Sequence, residues 1–158
     1  MIDSITFAKY IIAYAKKESI SVNITKVQKL LYICYGSYLF LKGNRLLTEQ
    51  PVALPYGPVF SKTLDYLNSK ENFDEFTIDK YDVFNDEIKK VVKIVMDFFG
   101  KYNANTLVNW THRDGSAWSR IVKEKGLLNK ADGWVKWSIT IPDEYIKDEF
   151  ETIIKQKE

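Results

Sequence analysis

Residues 110–114 hold the side chains best suited to acid–base chemistry. His112 is the only histidine of the chain, and Asp114 and Ser116 follow it closely. An imidazole oriented by a carboxylate can act as a general base. Neighbours in sequence need not be neighbours in the fold, however, and a histidine that bonds backbone groups near a helix end is the commoner arrangement. We therefore predict a structural His112 and no enzymatic activity.

The remaining candidate groups give no catalytic or metal site. One histidine and one cysteine, Cys34, exclude the zinc sites that need two or more His or several Cys. The sequence contains no GxGxxG, P-loop, HExxH or GxSxG pattern. Cys34 lies within an apolar helical stretch, where burial makes a thiol inert. We expect no catalytic residue, no metal and no cofactor.

Tyr56-Gly57-Pro58-Val59 is the second marked stretch. Glycine adopts conformations that other residues resist, and proline presets the following turn. Since proline suits the first turn of a helix, we predict that Pro58 begins one. The stretch is either a packed turn or a rigid, aromatic-bearing loop that meets a partner, and both interpretations stay open.

Apolar residues at helical spacing predict the elements that position these stretches. Helix starts are marked by capping or first-turn residues at Asp3 or Ser4, Asn23, Pro58, Asn85 or Asp86, Asn103, Ser116 and Pro142. The helix after Asn23 is apolar nearly all round in its second half, which predicts a central helix packed on several sides. Residues 50–55 and 135–141 have possible strand character, and residues 72–85 fit a short hairpin or a pinned loop. The fold class is mainly α, a compact single-domain bundle of about six to seven helices with a small β element over residues 1–158.

The composition indicates a globular protein with an ordinary core. Of 158 residues, 46% are hydrophobic and 15% aromatic, so some Tyr and Trp are expected at a binding surface. A net charge of +2 gives no nucleic-acid footprint by itself. No apolar run approaches the roughly 20 residues of a membrane helix, and no secretory signal is recognisable. We expect a soluble, cytoplasmic protein.

Three blocks of the sequence, taken in order, carry a family resemblance. They are Val27-Gln28-Lys29-Leu30-Leu31-Tyr32 followed by Gly36, then Tyr56-Gly57-Pro58-Val59, and last Trp110-Thr111-His112 followed by Trp118. The series resembles the Panacea domain, the SocA-like antitoxin family, whose members are also described as phage-associated proteins. The first two blocks together are the specific part, and the resemblance spans roughly residues 5–125.

The resemblance implies a mostly helical domain with a small β element, and an antitoxin role. Panacea domains are found beside unrelated toxins, encoded nearby, and neutralise them, commonly by direct binding. One member delivers its toxin to a protease, and members fused to a DNA-binding segment regulate transcription. A proteolytic adaptor and a nucleic-acid-binding regulator are therefore the alternatives. The family supplies no catalytic residues, and the shared positions are expected to hold the fold: Gln28, Lys29, Leu30, Leu31, Tyr32, Gly36, Gly57, Val59 and Trp118.

Candidate partner contacts come from the aromatic and rigid positions, because aromatic anchors carry much of the energy of an interface. They are Tyr56, Pro58, His112, Trp134, Trp137 and Tyr145. The expected partner is the cognate toxin. Two competing classes remain: an enzyme, which needs His112 beside a carboxylate in a concave pocket, and a nucleic-acid binder. The nucleic-acid class would use Lys26, Lys29, Lys89, Lys90 and Lys93, although helical lysines at this spacing are usually a solvated face.

Overall fold

Eight helices and a three-stranded sheet make up the residues that the computed structural model describes, namely 1–81, 84–127 and 137–156. In chain order they are α1 (Ser4–Lys17), α2 (Ile24–Lys42), β1 (Val52–Leu54), β2 (Gly57–Val59), α3 (Ser61–Asn68), α4 (Ile78–Tyr81), α5 (Asp86–Phe99), α6 (Ala104–Thr111), α7 (Ala117–Glu124), β3 (Ile139–Thr140) and α8 (Asp143–Lys155). The predicted mainly α class with a small β element is confirmed. No described helix has both the length and the apolar character to cross a membrane.

Side-chain caps fix where most of these helices begin. Asp3, Asn23, Asn85, Asn103 and Ser116 each accept a hydrogen bond from the backbone N–H three residues later. Each bond satisfies a donor that the first turn of a helix leaves unpaired. These five predicted helix starts are therefore confirmed.

The central helix predicted after Asn23 is α2. It packs against α1, α3, α5, α6, α8 and β2, so most of its side chains are buried. Gly36 allows α8 to approach closely, since a Cβ there would lie 2.1 Å from Cε2 of Phe150 in α8. Gly43 ends the helix with a φ of +79°, a left-handed conformation that glycine adopts readily.

The β element is an antiparallel sheet of order β2-β1-β3. Val52 pairs with Val59 and Leu54 with Gly57, so the first two strands form a tight hairpin. The prediction that Pro58 begins a helix is wrong, because Pro58 lies within β2 and α3 begins at Ser61. Proline is tolerated in an edge strand as well as at a helix start, and here strand pairing decides.

Residues 72–81 form turns and the short helix α4. Phe76 is buried and stacks on Phe73, with ring centroids 6.0 Å apart. The predicted hairpin is wrong for the described residues of this segment, and the pinned loop is the better description. Residues 82 and 83 lie outside the described part of the chain.

Candidate functional site

Two consecutive polar residues of α2 hold the backbone of the hairpin. The Gln28 amide accepts a hydrogen bond from Phe60 N, at 2.8 Å, and donates one to Phe60 O, at 3.2 Å. Lys29 Nζ donates to Pro58 O at 3.0 Å, although only 1% of the lysine is exposed. Side chains of α2 thus bond backbone groups along β2, as a neighbouring strand would do. These bonds explain why residues 57–60 stay extended.

Three polar side-chain atoms converge beside Gly57 at the start of β2. A Cβ at this position would lie 3.0 Å from Lys29 Nζ, 3.2 Å from His112 Nε2 and 3.3 Å from Thr111 Oγ1. Gly57 also has a φ of +118°, which side-chain-bearing residues rarely adopt. The backbone conformation therefore requires glycine where α2 and α6 meet the hairpin turn, and the space beside it is tight.

His112 ends α6 and connects it to the hairpin and to α7. Its ring stacks on Trp118, with centroids 4.0 Å apart and planes 13° from parallel, and Trp118 Nε1 donates to Leu54 O at 2.7 Å. His112 also makes a hydrogen bond with the Tyr56 backbone. Its Nε2 is buried and has no hydrogen-bond partner among the described residues.

The cluster contains one buried base, Lys29, and one half-buried base, His112. Burial lowers the pKa of Lys29 to about 7. The pKa of His112 is also lowered, first by burial and then by the charge of Lys29, while the bond to Tyr56 acts in the opposite direction. Asp114 does not orient His112, because its exposed carboxylate pairs with Lys123. The His112–Asp114 pair that an acid–base mechanism needs is therefore not formed.

A second polar network fastens α8 to the rest of the bundle. The buried Glu149 accepts hydrogen bonds from Tyr32 OH, at 2.6 Å, and from Ala117 N, at 3.2 Å. Arg113 Nη2 lies 2.7 Å from Glu149 Oε2 in a contact that is an ion pair without good hydrogen-bond geometry. The guanidinium of Arg113 also stacks on Trp110, 3.8 Å from the ring centroid. Burial raises the pKa of Glu149, and Arg113 opposes that shift.

Cys34 is buried in α2, and burial raises the pKa of its thiol. A protonated, inaccessible thiol is a poor nucleophile. No group of three or more His, Cys, Asp or Glu side chains within the described ranges could hold a metal ion.

Comparison with known families decides where this arrangement belongs. A family model described as the Panacea domain of SocA-like antitoxins matches residues 27–119, more than half of the chain. The chain belongs to the Panacea family. No curated protein and no solved structure gives a match. The matched region contains Lys29, the hairpin, His112 and Trp118, and it ends before α8.

The Panacea motif positions lie in two places. Gln28, Lys29, Gly57 and Trp118 surround the hairpin, together with Pro58 and His112. The others are buried positions in the core or at its edge, with Gly36 against α8: Leu30, Leu31, Tyr32, Gly36 and Val59. Blocks that are far apart in the sequence thus meet at one polar cluster beneath the hairpin turn.

The predicted partner contacts are distributed unevenly around this cluster. Tyr56 is 53% exposed at the hairpin turn, whereas Pro58 is buried and His112 half-buried. Trp137 is half-buried just before β3 and packs on the core. Tyr145 lies in α8, where Arg120 stacks on its ring at 3.6 Å and Glu124 bonds its hydroxyl. Trp134 lies outside the described residues.

Sequence reasoning missed three residues of these networks and one surface groove. Thr111 and Arg113 lie in the stretch 110–114 that the sequence marks, but no role was predicted for them. Glu149 was not predicted, although it follows Ile146 by one helical turn on the inward face of α8 and could have been noticed. The groove, about 390 Å³ in volume, lies between α5, α6 and α8. Its lining is mostly apolar: Phe98, Phe99, Tyr102, Thr106, Leu107, Trp110 and Ile153.

Proposed function

We propose that this Panacea-family protein is an antitoxin that neutralises a cognate toxin by binding it directly. The observation that carries the proposal is the family match over residues 27–119. The absence of a His112–Asp114 pair, with Asp114 held by Lys123, gives no support to an enzymatic alternative. A binding role requires a surface, and the hairpin turn is the best candidate for it.

Tyr56 has the properties of an interface anchor. It is 53% exposed, and tyrosine is enriched among the residues that dominate binding energy. The backbone around it is held by side chains from three helices: Lys29 of α2, the half-buried His112 at the end of α6, and Trp118 of α7. Because the hairpin is already ordered, binding would lose little conformational entropy there.

The strand register extends the proposed surface beyond Tyr56. Ala53 pairs with Ile139 in the antiparallel β1–β3 ladder. Continuing this register brings the chain just before β3, at Trp137, towards Pro55 in the hairpin turn. We therefore propose that Tyr56 and the exposed part of Trp137 contact the toxin. Bound there, this protein would cover the active site of the toxin or block access of its substrate.

The first test is rescue of growth. Cells that express the neighbouring reading frame should stop growing, and co-expression of this protein should restore growth. The two proteins should then co-purify, without any requirement for a host protease. Rescue that depends on a protease would favour the adaptor alternative, and a harmless neighbour would refute this toxin–antitoxin pair.

The second test concerns the surface. Tyr56→Ala should weaken binding of the toxin at least about tenfold, which is typical of a central aromatic anchor. Tyr102→Ala is the matched control, because Tyr102 is another exposed tyrosine and lies in the α5–α6–α8 groove. Calorimetric titration of both variants measures the difference. If Tyr102→Ala weakens binding and Tyr56→Ala does not, the groove and not the hairpin is the contact surface.

A further inference from the structure

Lys29 and His112 both bond the backbone of the hairpin turn. We propose that Lys29 and His112 form a proton-dependent lock, which holds the turn when the two side chains together carry at most one positive charge and loosens it when they carry two. The lock is a property of the free protein. Its effect on toxin binding, by contrast, rests on the proposed function.

The first support is the position of the two nitrogens. Lys29 Nζ and His112 Nε2 lie 3.0 Å and 3.2 Å from the same point beside Gly57. The two side chains also bond adjacent parts of the hairpin turn. Lys29 donates to Pro58 O, and His112 bonds the Tyr56 backbone. Repulsion between two charged side chains would therefore act directly on residues 56–58.

The second support is the set of charges around the pair. The helices α6 and α7 pack against the hairpin, and α6 has no charged residue. The charged residues of α7, and Arg113 in the connection before it, are occupied in ion pairs or hydrogen bonds: Arg113 with Glu149, Arg120 with Asp148, Lys123 with Asp114, and Glu124 with Tyr145. In α2, Tyr32 bonds Glu149 and Lys26 donates to Ser21 O and Gly100 O. The two residues of β3 are uncharged, and Tyr56 is exposed. Among the described residues, no carboxylate compensates a second charge in the pair.

The third support is the hydrogen bonding that each protonation state allows. With His112 neutral, the ring keeps its hydrogen bond to the Tyr56 backbone, the buried Nε2 carries a lone pair and no second proton, and Lys29 supplies the only charge of the pair. A proton on Nε2 would be a buried donor with no acceptor, next to a like charge. Both effects disfavour the doubly charged state, and opening of the turn relieves them by admitting water.

The chain is well suited to a direct test, because His112 is its only histidine. Its ring protons can be followed by NMR across pH without ambiguity. The wild-type midpoint should lie below the ordinary histidine value. Lys29→Met, which removes the neighbouring charge, should raise the proton affinity of His112 by up to about tenfold, one pKa unit. Lys90→Met, at an exposed position of α5, should leave the midpoint unchanged.

Hydrogen exchange shows whether the turn follows the proton. As His112 takes up its proton, the protection factors of the Gly57 and Phe60 amides should fall about tenfold, while those of α1 and α5 stay constant. In His112→Gln the same hairpin amides should show no such transition. This variant and the wild-type titration remain informative if Lys29→Met does not fold.

Two results would overturn the lock. One is a His112 midpoint that is ordinary or insensitive to Lys29→Met, and the other is hairpin protection that does not change through the titration. Toxin affinity measured at the same pH values is a separate readout. A lock that operates in the free protein without affecting binding would refute the role of the hairpin as the contact surface, and would leave the lock itself intact.

Discussion

Lys29 is buried at a cost that depends on pH. Transfer of an ammonium group from water into a protein core is unfavourable, and the hydrogen bond to Pro58 O offsets only part of this. The lysine nevertheless occupies a position where its Nζ holds the hairpin. Burial of this base fixes the hairpin turn at the expense of stability, and the expense should be measurable in the free energy of unfolding.

The free energy of unfolding should increase with pH above neutrality because of Lys29. Burial lowers the pKa of Lys29 from 10.5 to about 7, so between these values the unfolded chain binds more protons than the folded chain. The free energy of unfolding should therefore rise with pH from about 7 to about 10, by at most about 1.4 kcal/mol per pH unit from this residue. Urea denaturation at pH 7, 8 and 9 measures the slope. Lys29→Met should flatten it and Lys90→Met should not; equal slopes in both variants would mean that Lys29 stays charged when folded.

At the residue scale, the sequence identified several residues of the polar cluster beside Gly57, but it did not predict their contacts. Tyr56, Lys29 and His112 were all singled out, because their blocks form the family pattern. Their convergence beside Gly57 could not be predicted, since it depends on the packing of α2, α6 and the hairpin together. Glu149 was missed for a related reason: its place on the inward face of α8 marked it as unusual, but its partners, Tyr32 and Arg113, are far away in the sequence and come together with it only in the fold.

At the element scale, helix ends were predictable where a local interaction determines them. Asn23, Asn85, Asn103 and Ser116 cap helices through a bond to a backbone amide three residues away, and such bonds leave a mark in the sequence. Pro58 was placed wrongly because its local preferences fit both a helix start and an edge strand. The distant Gln28, which bonds both backbone groups of Phe60, favours the extended form.

The α2–α8 interface gives a prediction at this scale. Gly36→Ala would place a Cβ 2.1 Å from the Phe150 ring, so α8 must shift. Overpacking of this kind should destabilise the protein by about 1–3 kcal/mol, despite the intrinsic helix preference of alanine. Phe150→Leu, combined with Gly36→Ala, should cost less than the sum of the two single changes, because the smaller side chain makes room. Strictly additive unfolding free energies would show that the two positions do not compete for the same space.

At the scale of the whole molecule, the folded unit extends beyond the region that the family model matches. The match ends at residue 119, yet α8 packs against α2, the central helix, and against α7. Ile146, Glu149 and Phe150 are buried in that contact, and Glu149 links Tyr32 of α2 to Arg113 and to the start of α7. Without α8, the hydroxyl of Tyr32 and the guanidinium of Arg113 would lose the carboxylate that they share.

A chain that ends at residue 127 should therefore fail to fold cooperatively, although it retains the whole matched region. Removal of α8 exposes the apolar surface of α2 around Tyr32, and it removes the Glu149 carboxylate that bonds the Tyr32 hydroxyl and the Ala117 amide. A hydrogen bond to a charged group contributes about 1.5–3 kcal/mol, in addition to the lost apolar burial. The matched control ends at residue 156 and keeps all of α8, so its unfolding transition should equal that of the full chain. Circular dichroism and urea denaturation compare the three proteins. A cooperative transition in the shorter chain, with toxin still bound, would instead show that residues 1–127 are sufficient both to fold and to bind, and that α8 only adds stability.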